Sequence, residues 1–193
     1  MKSRDTTVNY LQIENSLRDA VALCASEPSA PFARSHGADL QQMRDALLTI
    51  TQQSDQQYLA WREHMRLRMV AIKHLWQRFE AVRDALGEYG FDPYPKGRFN
   101  YWDSEPLLDA VPALIAFLKG EAPGFEDVPA LVHEGAEWVA ALNDLLSHYR
   151  RTRREEERGL EGYKHVIPMR RQALYYAMNL VDDFKTLVRD SRR

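Results

Sequence analysis

The chain has 193 residues, 45% hydrophobic and 28% charged, with a net charge of −2. This is the balance of an ordinary folded globular chain, and it gives no global drive toward nucleic acid or a membrane surface. The length suffices for a single helical-bundle domain over 1–193, and the lone cysteine, Cys24, excludes an internal disulfide.

In chain order, the first predicted helix covers about 7–25. Tyr10, Ile13, Leu17, Ala20 and Cys24 fall on one face, so the thiol reads as a small buried hydrophobe in a reducing, cytoplasmic setting. The N-terminus lacks the apolar core of a secretory signal. Residues 26–38, with Pro28, Pro31 and Gly37, read as a linker. Asp39 with Gln42 resembles a capping box that opens a long second helix to about 88. Thr51–Gln57 carries no apolar residue. Its glutamines favour helix, so continuity is expected there, with a short break recapped at Ser54 as the alternative.

Gly90, Pro93, Pro95 and Gly97 exclude regular helix from 90–103. Asp103 or Ser104 then caps a third helix with Pro106 in its first turn, kinked or restarted near Pro112 and ending at Lys119-Gly120. Its apolar run, Ala110 to Leu118, is far below the ~20 residues of a membrane span.

From Val132 every seventh residue is apolar except Arg153: Val139, Leu146, Leu160, Ile167, Leu174, Val181 and Val188. A companion line through Leu142, Tyr149, Tyr163, Ala177 and Phe184 fails at Glu156 and Arg170. Both lines lose apolar character near Gly159 and Gly162. The pattern predicts two helices, 127–158 and 163–190, folded back as an antiparallel pair, with one continuous helix kinked at Pro168 as the alternative. The expected fold is all-α, a bundle of about five helices, two or three of them long and antiparallel, with an aromatic Pro/Gly-containing connection at 90–103.

Histidine and carboxylate spacing is the natural place to look for chemistry. His133, Glu137, Asp144 and His148 share one helix face, but that face lies away from the apolar stripe and reads as solvated. His64 and His74 share no face. The chain has no Glu-x-x-His pair, nucleophile elbow or phosphate loop. No metal site, cofactor or catalytic residue is therefore assigned.

Two binding surfaces are nominated instead. The first is the aromatic connection, with Phe91, Tyr94, Lys96, Arg98, Phe99, Tyr101 and Trp102, which either stacks on a ligand or closes one end of the bundle. The second follows from uneven charge. Residues 103–148 hold one basic and nine acidic groups, while 56–78 hold five and one, and 149–193 hold twelve and seven. Arg62, Arg66, Lys73, Arg150, Arg151, Arg154, Lys164, Arg170 and Arg171 are the candidate anion contacts. The bland account is that acidic and basic helices lie side by side, with Arg151–Glu155 and Arg153–Glu157 paired along one helix.

The leading expectation is a non-enzymatic interaction or scaffold protein that self-associates or docks on a protein partner. The second is an anion-binding module for nucleic acid or an anionic membrane surface. The third is a bundle with an interior metal or small-molecule site.

Overall fold

A computed structural model describes residues 4–88, 104–120 and 131–192; side chains are described from Tyr10 onward and, in the last helix, from Glu134. The described residues form four helices and no strand: α1 (Arg4–Ser26), α2 (Pro31–Glu88), α3 (Glu105–Leu118) and α4 (Leu131–Ser191). The chain divides into two compact units, Met1–Leu59 with Leu160–Arg193, and Ala60–Gly159. Where the sequence predicted one domain over 1–193, both long helices contribute to each unit.

The predicted linker at 26–38 shrinks to four residues, 27–30. Pro31 does not break a helix but begins one: its missing N–H costs nothing at a first helical position, and it holds Ala30 out of helical geometry. The Arg34 N–H then donates to the Ala30 carbonyl at 3.1 Å. Gly37 lies inside α2, where Cys24 of α1 would stand 3.6 Å from an added Cβ. Asp39 and Gln42 are mid-helix, so no capping box forms there. The polar stretch Thr51–Gln57 stays helical, with Thr51 and Ser54 buried.

In the first unit, α1 packs against the early part of α2 and the late part of α4. Leu17, Leu40, Leu47, Ala177, Val181 and Phe184 fill the core. Phe32 meets Phe184 edge-on, with ring centroids 5.6 Å apart. In this unit α2 and α4 run antiparallel: Asp55 lies 4.0 Å from Arg170, while Gln57, later in α2, faces Gly162, earlier in α4. Nearby, the Tyr58 and Tyr163 rings meet with centroids 5.3 Å apart.

In the second unit, α3 packs with the later part of α2 and the early part of α4 around Leu75, Phe79, Val82, Leu86, Leu114 and Leu142. Helix α3 starts at Glu105, with Pro106 in its first turn and Ser104 at the N-cap position; Ser104 makes no side-chain cap bond, because its hydroxyl instead shares a buried 3.0 Å hydrogen bond with the Tyr149 hydroxyl. The helix does not restart at Pro112, which is exposed, so the carbonyl freed one turn earlier can turn to water. It ends with the Gly120 N–H donating to the Phe117 carbonyl; φ of +72° at Gly120 is a conformation that favours glycine.

The largest departure from expectation is α4. It is one helix of 61 residues through Gly159, Gly162 and Pro168. The predicted pair 127–158 and 163–190 is therefore corrected, and the count falls from about five helices to four among the described residues. The predicted start at Asp127 lies outside them. The glycines are small because α2 is close. A Cβ on Gly159 would sit 3.3 Å from the Trp61 Cα and 3.2 Å from His64 Cδ2, and one on Gly162 would sit 2.8 Å from Gln57 Oε1.

The polar interruptions of the heptad lines are pairing positions. Arg153 donates to Glu105 of α3 at 3.1 Å, and Glu156 accepts from Arg68 of α2. Arg170 lies 4.9 Å over the Tyr10 ring and 4.0 Å from Asp55. The shared heptad phase across 159–162 is thus real register within one helix.

Gly87 offers a contrast. It is exposed in the last turn of α2, with nothing within 4 Å of an added Cβ. Gly87→Ala should therefore raise stability by about 0.5–1 kcal/mol, read as a higher urea midpoint at unchanged slope.

Candidate functional site

Phe91, Tyr94, Lys96, Arg98, Phe99, Tyr101 and Trp102 lie outside the described residues. The basic candidates divide between the units. Arg62, Arg66, Lys73, Arg150, Arg151 and Arg154 belong to the second, and Lys164, Arg170 and Arg171 to the first.

On α2, Arg62, Arg66 and Lys73 are all exposed and fall within about 40° of one another at 100° per residue. Arg66 is engaged locally, with its guanidinium donating to both Glu63 oxygens at 2.6 and 2.8 Å. On α4, Arg150, Arg151 and Arg154 are exposed. Arg151 hydrogen-bonds His148 at 3.0 Å rather than pairing with Glu155, while Arg153 pairs with Glu157 at 3.2 Å as the spacing predicts. Arg170 turns inward, its Nε buried without a hydrogen-bond partner among the described residues. Its contacts with Tyr10 and Asp55 make it a packing cation of the first unit.

The Glu63 carboxyl is held below its ordinary value, chiefly by the Arg66 hydrogen bonds and then by the charges of Arg66 and His64. A depressed carboxylate pKa stabilises the fold above the ordinary value, and that contribution is lost as pH falls through the folded-state value. A carboxyl NMR titration should therefore place the Glu63 midpoint below 4.5, and Arg66→Gln should move it up.

Glu137, Asp144 and His148 are exposed, and no group of three or more His, Cys, Asp or Glu suited to a metal occurs among the described residues. No helix among them is long and apolar enough to cross a membrane. A shallow groove of about 280 Å³ runs between α1 and α4 in the first unit, lined by Ala20, Leu23, Val181, Phe184 and Val188. Lys185 stands at its edge, 3.5 Å from Asp182.

The feature that reading in sevens missed lies on the other flank of α4 in the same unit. Met178, Asp182 and Lys185 face α1. Met169, Tyr176 and Leu187 lie roughly opposite at 100° per residue, and they are 46%, 53% and 38% exposed. Ala173 and Leu180 sit between them, half-buried against the core. Alternating steps of four and three through 169, 173, 176, 180, 183 and 187 give an outer seam beside the inner one, apolar at each position except Asp183, which is exposed. The signal was legible as a 4–3 pattern, but the lines of seven followed only the inner seam.

Comparison with protein-family models, curated proteins and solved structures returned no match.

Proposed function

We propose that this chain is a non-enzymatic interaction protein whose binding surface is the outer face of α4 in the first unit. The observation that carries the reading is the half-exposed line of Met169, Tyr176 and Leu187 on a helix whose other side is already packed. Contiguous apolar surface on a folded chain marks a contact site for another molecule, and a helix with two seams fits between two neighbours. The setting we propose is the reducing cytoplasm. Cys24 supports it: the thiol is free and buried, and burial pushes its pKa up, which keeps it protonated and inert.

Crosslinking in the source cells tests the reading, comparing the wild type with Tyr176→Glu/Leu187→Glu. The expected result is a crosslinked species, holding a second copy or another chain, that the double variant loses. Identical crosslinking by both proteins would overturn the reading.

A second reading, polyanion binding, draws on the exposed stripe of Arg62, Arg66 and Lys73. It requires oligonucleotide or anionic-vesicle binding that weakens steeply with salt and with loss of Lys73. No binding at low salt would remove it.

A further inference from the structure

We propose that the outer seam of α4 pairs with the same seam of a second copy, in antiparallel register, to make a two-fold homodimer. This rests on the interaction reading above and names its partner.

The argument is self-complementarity. The seam positions are Met169, Ala173, Tyr176, Leu180, Asp183 and Leu187, with steps of four, three, four, three, four. That spacing reads the same from either end. Two antiparallel copies therefore bring Met169 against Leu187, Tyr176 against Leu180 and Ala173 against Asp183, and each contact occurs twice, as an isologous interface requires. In heptad terms every layer joins an a position to a d position, the layer type of antiparallel coiled coils. Asp183, exposed, meets only the small Ala173, so a register slipped by one heptad would place its carboxylate against a large apolar side chain.

Charge agrees with the geometry. The positions flanking the seam on its outer side are Gln172, Asn179 and Thr186, none of them ionisable. In antiparallel register Gln172 faces Thr186 of the other copy, and Asn179 lies beside its own image near the two-fold axis. Like charges that would oppose self-pairing are missing from this flank, whereas a partner chosen by charge would find nothing there to read.

The test uses the purified full chain. Light scattering at ~100 µM should give a dimer, and Tyr176→Glu should raise its Kd at least about tenfold while leaving helical circular dichroism unchanged. In a Cys24→Ala background, Asn179→Cys should form a disulfide-linked dimer under mild oxidation. Gln172→Cys alone should not, but mixed with Thr186→Cys it should. The inference is overturned by a monomer at that concentration, by a dimer indifferent to Tyr176→Glu, or by efficient crosslinking of Gln172→Cys with itself, which marks a parallel pair. If the purified chain is monomeric while the double variant still loses a crosslinked companion in cells, the dimer is wrong and the interaction reading stands. If neither experiment shows an effect, both fall.

Discussion

Gly159→Leu is expected to destabilise the second unit by about 2–3 kcal/mol, even though it replaces the poorer helix former. Exchanging an exposed mid-helix glycine for a good helix former gains about 1 kcal/mol from propensity alone. Here that gain is outweighed, because a Cβ at Gly159 already stands 3.3 Å from the Trp61 Cα, and backbone cannot rotate away as a side chain can. Leucine adds three more carbons in the same direction, so α2 and α4 must separate locally and lose packing on either side. Gly159→Ala isolates the balance: propensity and crowding nearly cancel, and a change of under about 1 kcal/mol is expected. Urea unfolding of both variants checks the pair. A Gly159→Leu protein as stable as wild type would mean that α2 is not in contact there.

The second large effect is expected at Arg68 and Glu156. Their side chains are only 16% and 18% exposed, and they join α2 to α4 within the second unit through a charge-assisted hydrogen bond. Removing either partner leaves the other charge facing a protein interior. Arg68→Leu or Glu156→Leu alone should therefore cost about 2 kcal/mol, somewhat less than a fully buried pair. Replacing both with leucine restores an apolar heptad layer. The double variant should fall within about 1 kcal/mol of wild type, and the cycle should give a coupling of about 3 kcal/mol. Additive costs in the double variant would show that the two residues do not form a common layer.

These residues also explain how far the fold was legible. All-helical architecture followed from periodicity, and the predicted inner line is largely buried: Leu142, Leu146, Tyr149, Ala177, Val181 and Phe184. Continuity of α2 through Thr51–Gln57 and the start of α3 just after Ser104, with Pro106 in its first turn, were also legible, because helix propensity and proline's place in a first turn are local properties. The break placed at Gly159–Gly162 was wrong for a non-local reason. A glycine that ends a helix and a glycine that admits a neighbouring backbone are identical in sequence; only Trp61, about a hundred residues earlier, distinguishes them. The same holds for Arg153 and Glu156, whose partners Glu105 and Arg68 lie 48 and 88 residues away. Pro31 was misread because a breaker and a first helical residue look alike until the next turn is seen to bond back to Ala30.

The surface was less legible than the core. Sequence grouped nine basic residues as one anion set. The folded chain distributes them over two units and uses Arg170 internally. Net charge over a segment does not say which way each side chain points. The outer seam of α4 was present as a 4–3 pattern, yet its meaning depended on knowing that the adjacent seam was already filled.

The central structural claim is that α4 continues without interruption through Gly159 and Gly162, so that polar heptad positions act as pairing layers and not as an elbow. Amide hydrogen exchange at residues 159–163 tests it most directly. A continuous helix predicts protection of these amides by at least about a hundredfold over unstructured rates, comparable to their neighbours on either side. Exchange at unstructured rates across 159–163, between two protected segments, would contradict it.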